Sequence, residues 1–303
     1  MKNWTINDIP SLKGKVYIVT GGNSGIGFEA VQVLAQRHAK VFMASRDLNK
    51  AKVAIQKIKE KNPSADVIPL ALDLNALSSV RTCAEQFLKQ SARLDGLLNN
   101  AGIMLGPLTQ TADGIESQLG TNHVGHFLLT SLLFKVLKNT PNARVVNVSS
   151  IAHKQGRFDF QNMNYEKPKS YQPMQAYSRS KLANVLFTYA LARRVQGTDM
   201  KILAAHPGVS KTNLFARHVS NKAFYDFMFK IIPLQSAFHG ALPMLRALLD
   251  EQANNGTYYG PHGWMEMGGK PTLVQSIPLS HDSMLQENLW NYSEKIIGEK
   301  FKI

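Results

Sequence analysis

The sequence predicts an α/β fold: one doubly wound, mostly parallel, seven-stranded sheet with helices on both faces and a helical flap beside the ligand site. Three observations carry this. Short apolar runs rich in β-branched residues alternate with stretches whose apolar residues recur at helical spacing. The first run ends in a glycine cluster that opens a helix. The chain of 303 residues, 44% apolar and 18% charged, has the composition of an ordinary globule able to build one sizeable core.

Residues 15–20, K-V-Y-I-V-T, form the first strand, and Gly21-Gly22-Asn23-Ser24-Gly25-Ile26-Gly27 leads into a helix ending near Gln36. Glycines there permit positive φ and let a phosphate approach main-chain N–H groups at the positive end of the helix. The spacing G-x-x-x-G-x-G departs from the G-x-G-x-x-G dinucleotide fingerprint, so a plain loop is the competing reading. The second strand, residues 40–45, ends where a Rossmann-type βαβ unit meets the adenosine ribose, and here it ends in Ser45-Arg46. An acidic residue at that point would hold the ribose hydroxyls and repel a 2′-phosphate. A neutral residue followed by a guanidinium accepts one, which favours NADP(H) over NAD(H) unless Arg46 merely faces solvent.

The alternation continues with a helix over 49–61, a strand over 67–72, a helix over 77–89 and a strand over 96–100. Asp73-Leu74 and Asn99-Asn100-Ala101-Gly102 fall at carboxyl ends of strands, where doubly wound sheets place their ligands. Asp73 could accept from an adenine amino group; a helix cap or a turn is the bland alternative for either motif. A long helix over 115–138 carries Asn122 mid-span, where a side chain that competes for backbone hydrogen bonds invites a bend. The strand over 144–148 runs into Ser149-Ser150, which alone reads as a cap, and the polar, proline-containing stretch 151–175 loops over the site. The next helix holds Tyr177-Ser178-Arg179-Ser180-Lys181, whose spacing puts a phenol and an ammonium on one face. Such a pair can work as a general acid/base, although a surface tyrosine beside a solvated lysine shows the same spacing.

A strand over 202–205 ends in His206-Pro207-Gly208. Residues 213–235, rich in Phe, Met and Tyr, read as a helical flap over an apolar ligand, followed by a helix over 240–249 and a last strand near 257–260. The amphipathic tail, 284–296, is expected to pack on the sheet. The whole chain, 1–303, thus reads as one domain: an N-terminal extension (1–12), a cofactor and catalytic core (13–212), the flap (213–235), and a C-terminal helix, strand and tail (236–303).

The formal charge of +14 is spread along the chain without a basic cluster or an aromatic-interleaved strip, so general basicity fits better than nucleic-acid binding. The one cysteine, Cys83, admits no intrachain disulfide. The first twelve residues hold no apolar signal region, and charges and Pro233 interrupt the richest apolar stretch, 223–249, so no membrane span is expected and the cytosol is the expected location.

Taken in order, T-G-G-N-S-G-I-G, D-L, N-N-A-G, N-H-V-G, V-N-V-S-S, Y-S-R-S-K and H-P-G are specific as a set, and over about residues 13–212 the chain resembles the short-chain dehydrogenase/reductase family. V-N-V-S-S-I-A-H, Y-S-R-S-K-L-A-N-V-L-F and A-A-H-P-G-V look most like its retinol-dehydrogenase-like and WW-domain-oxidoreductase-like branch, without a WW segment or an N-terminal membrane anchor. The resemblance implies Tyr177 as proton donor and acceptor, Lys181 on the nicotinamide ribose lowering the phenol pKa, and Ser150 on the substrate oxygen. Asn122 would complete a tetrad, its helix bend freeing a main-chain carbonyl for a water on the Lys181 side. An ammonium about 5 Å from a phenolate at an effective dielectric of ~20 contributes on the order of 3 kcal/mol, roughly two pK units.

By the same resemblance Gly21, Ser24, Gly25, Ile26 and Gly27 hold the pyrophosphate, and Arg46, following Ser45, the 2′-phosphate. Asp73 and Leu74 hold adenine, Asn99, Ala101 and Gly102 line the ribose side, and Pro207, Gly208 and Thr212 face the nicotinamide carboxamide. His123, His126, His153 and His206 show no metal-ligand spacing, so no metal is expected and packing is their expected role. The implied activity is that of an NADP(H)-dependent oxidoreductase interconverting an apolar ketone or aldehyde and its alcohol. The family is often dimeric or tetrameric through the helices that carry Asn122 and Tyr177, which implies a homodimer or homotetramer. A non-catalytic dinucleotide sensor or scaffold of the same fold is the alternative, distinguished by the absence of turnover.

Overall fold

The seven apolar runs read as strands all enter one sheet. A computed structural model describes residues 4–210 and 235–303, so Thr212 and flap residues 213–234 lie outside the described residues. The strands are β1 (Val16–Thr20), β2 (Lys40–Ser45), β3 (Val67–Ala71), β4 (Gly96–Asn99), β5 (Arg144–Val148), β6 (Lys201–Ala205), β7 (Tyr258–Pro261) and β8 (Pro271–Leu273). They lie in the order β3-β2-β1-β4-β5-β6-β7-β8. Neighbours from β3 to β7 are parallel, and β8 returns antiparallel to β7. The sheet therefore has eight strands where seven were predicted: β8 is three residues long, begins with proline and shows no alternation that a sequence pattern could reveal.

Side chains alternate across this sheet and both faces are covered, which is why the strands read as nearly continuous apolar runs. Ile18, Phe42, Leu97 and Val145 point to one side, into a core shared with α3 (Leu77–Leu88), α5 (Gly125–Lys138), α6 (Pro173–Arg194) and α8 (Ser283–Ile297). Tyr17, Val41, Leu98 and Val146 point to the other, against α1 (Gly25–Gln36), α2 (Leu48–Lys61) and α7 (Ala237–Leu249). Strand order reverses between β1 and β4, and a crevice opens there at the carboxyl ends of the strands.

The predicted helix over 115–138 is interrupted. A short α4 (Ser117–Leu119) passes into a π turn over Gly120–Val124 before α5, so the bend expected at Asn122 takes the form of a widened turn. The tail forms α8, which packs on α6 and on the π turn, whereas the sequence reading placed it on the sheet. The sheet face is already occupied by α5 and α6, and what remains apolar is their outer side. There Phe127 and Phe187 meet Trp290 at ring distances of 5.1 and 5.9 Å, and Phe301 closes the cluster 5.3 Å from Phe127. Residues 176–188 of α6 are consequently buried within the chain. Among the described residues no helix is long and apolar enough to cross a membrane.

Candidate active site

The crevice is a cleft of about 310 Å³. One end is built by the turn between β1 and α1. Gly21 and Gly25 have φ of +66° and +55°, which only glycine adopts without strain. Gly27 is needed for closeness: a Cβ there would lie 2.4 Å from the Gly21 carbonyl oxygen and 2.6 Å from Asn100 Nδ2. Ser24 caps α1 in an extended conformation without a side-chain capping bond, so its hydroxyl and the first N–H groups of the helix remain for an anion. Gly21, Ser24, Gly25, Ile26 and Gly27 all line the cleft.

Where β2 ends, Arg46 is exposed at the lip of the cleft, beside Lys50 and Asp47. The Ser45 hydroxyl is engaged by its own loop, donating to the Asp47 carbonyl at 3.2 Å and accepting from its N–H at 3.3 Å. Asp47 caps α2, accepting from Lys50 N at 3.0 Å, and that backbone bond holds its carboxyl below the usual range. Lys50 Nζ also lies 3.4 Å from Asp47 Oδ2, so this end presents the Arg46 guanidinium and a Lys50 ammonium paired at the surface with Asp47; Lys50 went unnoticed in the sequence because it lies on a helix one turn beyond the motif. Asp73 and Leu74 line the next stretch, with Asp73 Oδ1 accepting from Asn75 N at 3.0 Å.

The Asn99-Asn100 pair divides. Asn100, Ala101 and Gly102 line the cleft, and Asn99 does not. Asn99 is buried in the sheet, donating through Nδ2 to Thr130 Oγ1 at 3.0 Å and to Asn147 Oδ1 at 2.8 Å. From Asn147 the bonds run through Thr188 and Asn184 to the Val148 carbonyl, on which Lys181 Nζ also rests at 3.1 Å. Asn99 therefore belongs to a buried polar ladder behind the site; strand alternation sends one of two consecutive asparagines inward. Asn100 takes the wall, with Nδ2 donating to the Thr20 carbonyl at 2.8 Å.

Tyr177 and Lys181 sit at the other end of the cleft, 6% and 4% exposed. Burial pushes the phenol up to about 12 against a hydrogen bond with the Ser150 side chain, and pulls the ammonium down to about 8. The depression of the Tyr177 pKa expected from its lysine is therefore not present in the protein alone. Desolvation of the phenolate outweighs an ammonium that lies 5.7 Å from the ring centroid and donates to a carbonyl. Gly102 is packed against this group: a Cβ would lie 3.0 Å from Asn122 Oδ1 and 3.4 Å from Lys181 Nζ. The Asn122 side chain clamps Ile103, accepting from its N–H at 2.8 Å and donating to its carbonyl at 2.9 Å, and also donates to Ser180 Oγ at 2.9 Å. Its main-chain carbonyl, expected to be free, accepts from His126 Nδ1 at 3.0 Å.

Arg179, inside the Y-S-R-S-K motif, is buried and fastens the loop before α6: Nη2 donates to the Met163 carbonyl at 2.6 Å and the guanidinium lies 4.6 Å over the Tyr165 ring. Pro207 lines the cleft, while Gly208, at φ +66°, is pressed against Met267, whose carbonyl oxygen would lie 2.5 Å from a Cβ. Glu266, on the turn between β7 and β8, was missed entirely. Its carboxylate lies 2.8 Å from Lys154 Nζ, four residues beyond Ser150, and 3.0 Å from Nε2 of His206, which precedes Pro207. His206 Nδ1 accepts from Gly208 N at 3.2 Å, so its proton is on Nε2, facing the carboxylate. Burial would raise Glu266, but the His206 and Lys154 contacts outweigh it and hold the carboxyl down at about 2. His123, His126, His153 and His206 are all buried and hydrogen-bonded within the protein.

A family model described as short chain dehydrogenase matches residues 15–223. Human retinol dehydrogenase 12 is 41% identical over 293 residues, spanning 96% of this chain and 89% of the relative, and human retinol dehydrogenase 11 is 42% identical over 240 residues, spanning 79% and 74%. Among solved structures, an uncharacterised protein from Mycobacterium paratuberculosis aligns over 100% of both chains with a TM-score of 0.82 and 36% identity. A Pseudomonas aeruginosa RhlG/NADP complex aligns over 82% of this chain and 94% of that one with a TM-score of 0.66; at 24% identity it shows the shared fold alone. With its glycine turn, buried Tyr177–Lys181 pair and these likenesses together, the chain belongs to the short-chain dehydrogenase/reductase family, in its retinol-dehydrogenase-like branch, and is an oxidoreductase of alcohol and carbonyl groups.

Proposed function

We propose that this chain interconverts an apolar ketone or aldehyde with its alcohol using NADP(H), with Tyr177 as general acid and base. The observation that carries the reading is that the buried Tyr177 and Lys181, with the half-buried Ser150 side chain beside the phenol, lie at one end of a cleft whose other end presents Arg46 and Lys50. The close-packed glycine turn and the open N-terminus of α1 suit a pyrophosphate, and the two cations suit a 2′-phosphate. A bound nicotinamide dinucleotide supplies or takes the hydride.

The protein's own groups handle the oxygen and the proton. Ser150, hydrogen-bonded to Tyr177, orients the substrate oxygen toward the phenol. With its pKa up at about 12, Tyr177 holds its proton at neutral pH and is ready to donate it as negative charge develops on that oxygen during reduction. The Lys181 ammonium, fixed on the Val148 carbonyl, then faces the phenolate left behind; in oxidation the proton returns. The apolar substrate class rests on the aromatic composition of residues 213–235 and on relatives named for retinol. The single buried thiol, Cys83, suits a reducing compartment, and we keep the cytosol as the proposed location.

The test is cofactor oxidation with purified protein across a panel of apolar aldehydes and ketones that includes retinal. Turnover with NADPH well above that with NADH is the expected result. Tight NADPH binding without turnover on the whole panel would favour the sensor instead.

A further inference from the structure

Of the four histidines buried among the described residues, His126 is the one that bonds the main chain at Asn122. It is 2% exposed, on the first turn of α5, just beyond the π turn. Its Nδ1 meets the Asn122 carbonyl oxygen at 3.0 Å and its Nε2 meets Thr20 Oγ1 at 2.9 Å. Thr20 ends β1, and its Oγ1 accepts from the N–H groups of Asn100 and Ala101, both at 2.9 Å.

The donor roles in this chain follow from the partners. A carbonyl only accepts, so Nδ1 carries the proton; Nε2 then accepts from the Thr20 hydroxyl, whose lone pairs take the two amides. Every group is satisfied, with the 3.4 Å approach of Thr20 Oγ1 to the Leu98 carbonyl as the weaker alternative for the hydroxyl proton. This holds only for an uncharged imidazole, and burial pushes His126 down to about 4, with Lys181 nearby acting in the same direction. Packing needs none of this, because an apolar side chain would fill the same space without two directed bonds to site segments.

We propose that His126 is a positioning residue: its imidazole ties the main chain at Asn122, and the side chain that clamps Ile103 beside Lys181, to the end of β1 and the Asn100–Ala101 wall of the cofactor cleft. The two ring nitrogens do different work. Nδ1 fixes the turn that carries Asn122, which bears on the reaction; Nε2 holds Thr20 under the wall, which bears on the cofactor. This rests on the reading of Asn122, Tyr177 and Lys181 as the reacting group.

Two conservative variants separate the halves. In His126→Asn the amide nitrogen takes the place of Nδ1 and nothing reaches Thr20. In His126→Gln the amide reaches the place of Nε2 and the Asn122 carbonyl loses its partner. Loss of one buried hydrogen bond corresponds to about a tenfold effect. His126→Asn is expected to raise the NADPH Kd, read by cofactor fluorescence, about tenfold with kcat within roughly threefold, and His126→Gln to do the reverse; His126→Leu shows both losses. Parallel losses of Kd and kcat in the Asn and Gln variants that track their Tm values would reduce His126 to packing and overturn the proposal, as would wild-type values in all three. Should the wild-type protein bind NADPH but turn over no carbonyl, the reaction reading fails while the opposed Kd values of the Asn and Gln variants still decide the hold on the wall.

Discussion

Replacing Lys181 with methionine removes a charge from one of the least solvated places in the protein. The side chain is 4% exposed, and burial takes its pKa from an ordinary 10.5 down to about 8. That shift of roughly 2.5 units means the fold disfavours the ammonium by about 3 kcal/mol near neutral pH. Its bond to the Val148 carbonyl returns about 1 kcal/mol. The carbonyl keeps a second donor, Asn184 Nδ2 at 2.9 Å, so the substitution orphans nothing there. Methionine has a similar length, and the cofactor-free variant is expected to gain about 2 kcal/mol; at an unfolding entropy of about 2.1 cal/mol/K per residue, that raises Tm by about 3 °C. The folded pKa lies below the unfolded one, so between pH about 8 and 10.5 the unfolded chain holds the extra proton and wild-type stability climbs with pH. The variant lacks that climb, and its turnover falls by roughly a hundredfold or more. Thermal denaturation followed by circular dichroism across this range, on both proteins, reads the effect. A lower Tm in the variant at neutral pH, or parallel stability curves for the two proteins, would refute the reasoning.

Arg46→Ala should weaken NADPH binding by about ten- to a hundredfold while leaving NADH within roughly threefold, since only the former carries the 2′-phosphate; equal losses in fluorescence titration would remove Arg46 from that role. Gly27→Ala forces a methyl onto the Gly21 carbonyl and Asn100 Nδ2, so a stability loss of about 1–3 kcal/mol together with loss of cofactor binding is expected in denaturant titration and fluorescence. Glu266 has its carboxyl held at about 2 against an ordinary 4.5, so its contribution is full above pH 4.5 and is lost as pH falls toward 2. Discounted for its partial exposure, that amounts to about 1–2 kcal/mol, and Glu266→Gln should flatten the acid limb of the stability curve over this window and leave the neutral-pH slope alone.

Much of this architecture could be read from the sequence because the physics is local. All seven strands it revealed begin and end within about two residues of the predicted runs, and the glycine turn followed from steric need at Gly21, Gly25 and Gly27. What escaped depends on tertiary context. Proline-led β8 exists because β7 offers it an edge, and α8 lies on α6 because Phe127 and Phe187 leave an aromatic face uncovered. Asn99 and Asn100 are chemically alike, and only the pleat at the end of β4 decides which one faces the cleft. Glu266 meets Lys154 and His206 across separations of 112 and 60 residues, with no motif to announce it. The rise of the Tyr177 pKa was hidden for another reason: the sequence shows the lysine beside the phenol and is silent on the depth at which both lie.

The central claim is that Tyr177 moves the proton while other groups hold the cofactor. Tyr177→Phe keeps the ring and removes only the hydroxyl, so it should bind NADPH with a Kd within about threefold of wild type and lose roughly 10²- to 10⁴-fold in carbonyl turnover. Carbonyl-reductase turnover by Tyr177→Phe equal to that of the wild-type protein, at the same NADPH affinity, would contradict the account.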